Sequence, residues 1–197
     1  MTRLLVFLGS ITLMVSCVNQ PADSARAYFD FDSLVNGQIN QLLAVNATIS
    51  KEAQIDGKPD HAVYQPDSIL WSHELEMFRD LNIINKPVNQ HNYEVQDGLK
   101  DDNSNLLTRT LSARKKSQVQ RLTFFYEGTP DRLRKIEADV REETTLYSTL
   151  RKLKMQFDNS GNKLLLSSYS IEGVQKIILK DSVRFAIHVE VVAGNPH

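Results

Sequence analysis

The chain has 197 residues, a net charge of −1 and a 41% apolar content, enough for one domain with a real hydrophobic core. Basic and acidic residues are interspersed. Even the densest basic cluster, Arg114-Lys115-Lys116, lacks the aromatic companions and basic surround of a nucleic-acid surface, so it reads as a solvated strand end or turn. The single cysteine excludes an internal disulfide framework.

That cysteine, Cys17, closes the stretch Met14-Val15-Ser16-Cys17 at the end of a short apolar run. Arg3 supplies a positive n-region, Leu4 to Val15 an apolar h-region, and Ser16 the small residue before a cleavage point. The apolar run is about a dozen residues, short of the ~20 that a membrane-spanning helix needs. The pattern resembles a bacterial lipobox, although Met14 stands where leucine is usual. Competing readings are an ordinary signal peptide with an incidental cysteine, or a buried core helix. On the lipobox reading, residues 1–16 are a signal peptide and residues 17–26 a lipidated cysteine with a polar tether. Residues 27–197 then form a single α+β domain. The thiol becomes a thioether to a diacylglycerol, and the freed amine is acylated. Two or three chains hold firmly where one does not, since each buried methylene contributes roughly 0.8 kcal/mol.

Along the mature chain, Asp30 or Asp32 can cap a first helix. Its apolar stripe is Phe31, Leu34, Val35, Ile39, Leu42 and Leu43, with Gln38 on the same face. Ala47 to Ile55 alternates as a strand, Asp56-Gly57 signals a tight turn, and His61 to Tyr64 is the returning partner. Pro66 and Asp67 open a second helix with Leu70, Trp71, Leu75, Phe78 and Leu81 on its buried face, ended by Asn85-Lys86-Pro87. Tyr93 to Val95 forms a short strand before a polar loop, Gln96 to Asn105. From Leu106 to Val192 strands follow one another. Gly173 is expected to mark a bulge or bend. Val183, Phe185, Ile187, Val189 and Val191 alternate with Arg184, His188 and Glu190 in a two-faced final strand. The predicted fold is α+β: a strongly curved antiparallel sheet, a half-barrel meander, with two N-terminal helices packed on its concave face.

Three stretches carry a resemblance: Tyr28-Phe29-Asp30-Phe31, the run Trp71-Ser72-His73-Glu74-Leu75-Glu76-Met77-Phe78 continuing to Ile84-Asn85-Lys86-Pro87, and Ser167-Ser168-Tyr169-Ser170-Ile171-Glu172-Gly173. They resemble an uncharacterised family of Bacteroidetes lipoproteins, which brings no catalytic residues. The arrangement of elements is similar, more loosely, to the LolA/LolB class of periplasmic lipoprotein carriers, half-barrels with helices lidding an apolar cavity. That second likeness concerns architecture, and fold does not imply function. The segment after Cys17 has no acidic run resembling a surface-export signal. The expected location is therefore the periplasmic face of the outer membrane.

A search for chemistry returns little. His73-Glu74 begins a zinc-hydrolase pattern, but Met77 stands where the second histidine belongs. Asp101 to Asn105 alternates oxygens as a calcium loop does, yet Leu106 and Ser112 replace the required glycine and glutamate. His61 and His188 could converge, although their spacing does not require it. Glu137 and Asp139, on one strand face with Lys135 and Arg141, read as a salt-laced solvent face. No catalytic residue, metal or cofactor is predicted. Two functions remain. In the first, a non-enzymatic module holds a lipid or other hydrophobic small molecule in a cleft lined by Leu70, Trp71, Phe78, Leu122, Phe124 and Tyr126. In the second, a structural or assembly lipoprotein docks another cell-envelope protein. An open cavity between helices and sheet favours the first, a filled core with an exposed patch the second. A hydrolase is the weaker third possibility.

Overall fold

The β-rich half of the sequence, with its long runs of alternating residues, forms one antiparallel sheet. A computed structural model describes residues 28–160 and 163–194. Helix α1 (Phe31–Ala44) leads into the hairpin β1 (Thr48–Ile55) and β2 (Lys58–Tyr64). A helical passage follows: α2 (Ser68–Glu74), α3 (Glu76–Arg79) and two short 3-10 helices, Asp80–Asn85 and Pro87–Asn89. The remaining strands are β3 (Tyr93–Lys100), β4 (Leu107–Ala113), β5 (Val119–Tyr126), β6 (Leu133–Glu143), β7 (Tyr147–Ser160), β8 (Lys163–Ile177) and β9 (Val183–Val192).

The sheet is open and its order is β2-β1-β9-β8-β7-β6-β5-β4-β3. Strands β3 to β9 form a meander, and the N-terminal hairpin joins it by pairing β1 with β9, from Thr48 opposite Val192 to Ile55 opposite Phe185. The helical passage therefore carries the chain from the β2 edge to the β3 edge. Its buried side chains share one cluster with α1 and with the strand residues of the facing side. Across the sheet that side is a continuous apolar row: Leu111, Leu122, Ala138, Leu153, Ile171 and Ile187 stand opposite one another on six neighbouring strands.

Local chemistry explains the helix starts. Asp30 caps α1 by accepting from the Ser33 amide at 3.0 Å, and Asp67 caps α2 by accepting from the Leu70 amide at 2.8 Å. The Asp56-Gly57 turn holds both residues at positive φ, 48° and 80°, the twist a two-residue hairpin requires. Gln38 lies in the apolar stripe of α1 because its amide has backbone partners there. It donates to Leu164 O at 2.9 Å and accepts from Leu166 N at 2.7 Å, extending the hydrogen bonding of β8 to the helix.

Several expectations need correction. The second helix is not continuous to Asn85: it breaks at Leu75 and finishes in 3-10 geometry, which lets it bend across the sheet. The region of the expected loop Gln96 to Asn105 belongs to β3 as far as Lys100, with its irregularity at Gly98 between Asp97 and Leu99. Gly173 marks no bulge. Strand β8 runs through it, and its register shift lies instead between Gln156 and Phe157 of β7. A Cβ at position 173 would sit 2.5 Å from the Phe185 ring and 2.7 Å from Leu150 O, so close approach selects glycine there.

Candidate functional site

The residues expected to line a cleft come together, apart from Leu70. Trp71 on α2 and Phe78 on α3 are buried against the sheet, as are Leu122 and Phe124 of β5. Phe124 packs against Phe29 and Phe31 with ring centroids 4.6 and 6.2 Å apart, and Phe78 meets Tyr169 edge-on at 5.7 Å. A small void of about 20 Å³, room for roughly one water, lies beside Met77, Leu81 and Val119 and is lined by none of the expected cleft residues. The Trp71 indole N–H has no acceptor among the described residues, so the ring contributes volume. Leu70 departs from the expectation. It is 37% exposed because its neighbour Trp71 occupies the inward position on the short α2. Tyr126 is buried, but its hydroxyl donates to Asp97 Oδ1 at 2.6 Å and accepts from Gly98 N at 3.2 Å, fixing the irregular β3 edge.

The same helix-facing side holds a polar cluster that sequence reading missed. Glu74, the last residue of α2, has only 8% of its side chain exposed. Its two carboxylate oxygens accept from Lys51 Nζ at 2.8 Å each, from Tyr64 hydroxyl at 2.7 Å and from Tyr169 hydroxyl at a short contact. Lys51 and Tyr169 stand on either side of buried Val189 across β1, β9 and β8, so the sheet presents its donors in one row. Burial works against ionisation of Glu74. Hydrogen bonds from Lys51, Tyr169 and Tyr64, with the lysine charge, outweigh it and hold the carboxyl below its ordinary value. Burial, then the Glu74 carboxylate, push both phenols upward, so they stay protonated. The carboxylate's acceptor positions are all used, which leaves Glu74 no lone pair for a substrate proton. The cluster fastens the helical passage to three strands. His73, the other half of the failed zinc pattern, faces solvent.

The opposite side of the sheet is polar. One residue along from the apolar row lies a second row: Thr110, Thr123, Glu137, Lys154, Ser170, His188, Glu52 and His61, in register from β4 to β2. Beside it Arg121, Asp139, Lys152 and Glu172 alternate in sign across β5 to β8. From β4 to β8 these side chains floor a trough of about 590 Å³ whose rim is the end of the β3–β4 hairpin, Leu99 to Asp102. Lys135 pairs with Glu137 at 2.9 Å and lies over the Phe125 ring at 3.7 Å. A second hollow, about 670 Å³, lies at the β2 edge over Glu52, His61 and His188. His61 and His188 flank Glu52 on adjacent strands but are engaged elsewhere. His61 meets Ser50 Oγ at 3.2 Å and His188 meets Glu190 at 2.7 Å. No group of three metal-ligating side chains is arranged around one point among the described residues. Asp101 is tied to Ser104 within the loop read against a calcium pattern.

Cys17 and the tether to Arg26 lie outside the described residues. No helix of the described residues is long and apolar enough to cross a membrane. No protein-family model, curated protein or solved structure matches this chain.

Proposed function

We propose that this chain is a lipid-anchored, non-enzymatic domain of the cell envelope that works by docking another envelope protein. In this reading Cys17 carries the acyl chains, and the outer membrane's periplasmic face is the site of action. The sheet is read as a half-barrel curled around its helices, with the helices on the concave side. One observation carries the choice of docking over a lipid-filled cleft: Trp71, Phe78, Leu122 and Phe124, which would line the cleft, are packed into one buried core cluster. Hollows of about 670 and 590 Å³ lie on the opposite, polar side. One of about 680 Å³ on the helical passage is lined mostly by polar residues such as Asp32, Arg79, Asn82 and Lys86 and by none of the expected cleft residues. A surface of alternating charges suits a partner's polar face and selects it by charge register more than by buried area.

The test is site-specific photo-cross-linking from positions 123 and 154 of the trough in the native membrane, compared with a probe at position 73. A discrete heavier species from the trough positions alone supports docking. Native mass spectrometry of the purified protein provides the opposing outcome. A stoichiometric co-purified lipid, lost on Phe78→Asp in a folded chain, would return the reading to a hydrophobic-ligand module.

A further inference from the structure

The two ends of the sheet differ in what their turns expose. At one end lie the turns 56–57, 114–118, 144–146 and 178–182, together with the start of β3. There Leu146 is 69% exposed, Ile178 56% and Leu179 99%. Among the described residues these are the only large apolar side chains exposed in strand-to-strand connections. The turns 144–146 and 178–182 are neighbours, joined by the Ile178 N–H to Leu146 O hydrogen bond of 3.0 Å. Leu179 also adopts φ +62°, a conformation that disfavours any side chain with a Cβ. A leucine there is strained and gains no burial within the chain. At the other end the turns 101–106 and 127–132 are mostly polar, with Leu106 half-buried and no exposed large apolar residue.

Two further facts specify what would meet the apolar end. Exposed cations surround it: Arg114, Lys115, Lys116, Lys176, Lys180 and Arg184. Of the carboxylates there, Glu143 is paired with Lys116 and Arg141 and Glu142 with Arg151, while Asp56, Glu94 and Asp181 are the remaining acids, fewer than the exposed cations. The chain also enters the fold at this end. Tyr28 stacks edge-on against Tyr93 at 5.3 Å and donates its amide to Asn85 at 2.7 Å. Tyr28 is eleven residues on from Cys17, a reach of at most about 40 Å. Five strand spacings separate β3 from β8, roughly 24 Å across the sheet.

We infer that this end of the sheet rests on the bilayer that holds the Cys17 acyl chains. Leu146, Ile178 and Leu179 enter the headgroup–acyl boundary, and the surrounding lysines and arginines meet anionic phospholipid. The inference rests on the lipid-anchor reading above. Apolar tips with a basic surround are the chemistry that recognises such a surface, and neither feature alone suffices for stable attachment. The contact fixes the orientation of the domain, so that the helices and the polar trough stand at the sides, clear of the lipid.

The experiment uses the full chain processed in cells and reconstituted into vesicles of phosphatidylcholine and phosphatidylglycerol, in native form and as Leu179→Trp. Native Trp71 is fully buried and supplies the reference emission. The expected result is a blue-shifted indole at position 179 that is quenched by brominated acyl chains, while native emission is unchanged. In parallel, Leu146→Asp with Leu179→Asp in a Cys17→Ser chain lowers partitioning to the same vesicles by about tenfold or more. Both changes fall on exposed turn residues, so an unchanged unfolding midpoint confirms folding. An acylated protein whose new indole stays solvent-exposed overturns the contact and leaves the anchor standing. A mature N-terminus without acyl mass removes the anchor and the contact together. A blue shift without bromine quenching assigns the tips to a second copy of the chain and also overturns the proposal.

Discussion

Two rows of side chains, one residue apart on the same strands, behave as different materials. The row from Leu111 through Leu122, Ala138, Leu153 and Ile171 to Ile187 is apolar at every position and faces the helices. Its neighbour, Thr110 through Thr123, Glu137, Lys154 and Ser170 to His188, is polar at every position and faces away. The contrast shows what fixes register in so long a meander. A slip of one residue in any of these strands would put a polar side chain into the core and an apolar one into water. The inner row therefore carries stability, and the outer row is free to carry recognition.

The largest expected effect is at the helix–sheet contact. Trp71→Ala removes the largest fully buried side chain and should cost about 4 kcal/mol, read as a lowered midpoint in urea unfolding. Glu74→Gln should cost about 3 kcal/mol, because it leaves Lys51 and two phenols around an uncharged amide. That loss depends on pH. The folded Glu74 carboxyl lies below its ordinary value of about 4.5, so its stabilisation is complete above that pH and fades as pH falls through the lower folded value. Acid titration of unfolding should show the native chain losing this increment below about pH 4.5, and the Glu74→Gln chain lacking it throughout.

Gly173→Ala should cost about 2 kcal/mol, since the new Cβ must displace the Phe185 ring and crowds Leu150 O. Pairing it with Phe185→Leu should recover part of the loss, and no recovery would assign the strain to the backbone. On the outer side Lys154→Ala and Thr123→Ala should each change stability by no more than about 0.5 kcal/mol. A loss near that of Leu122→Ala, about 3 kcal/mol, would mean that the outer row is structural.

Local signals account for part of the fold. The caps Asp30 and Asp67, the Asp56-Gly57 turn and the alternation from Val183 to Val191 each involve interactions within a few residues, and such signals survive in the linear chain. Helix α1 was legible for the same reason, as its buried face follows the helical period. The candidate site was less legible. Trp71, Phe78, Leu122 and Phe124 read correctly as one apolar group. Whether they enclose space or fill it depends on the distance between layers, which no spacing encodes. Leu70 and Trp71 both satisfied the stripe, and the break at Leu75 decided between them.

What the sequence determined alone is the two-sidedness of the strands and the positions of the helix starts and tight turns, because each depends on residues next to one another. Only the tertiary structure decided that β1 pairs with β9, that Glu74 gathers donors from β1, β2 and β8, and that glycine at 173 makes room for Phe185. Each of these joins residues 10 to well over 100 positions apart in sequence, from Tyr64 and Glu74 at 10 to Thr48 of the first strand and Val192 of the last. Such pairings arise when the chain ends return to one another. They are chosen by the burial of the whole inner row and not by any short segment of it.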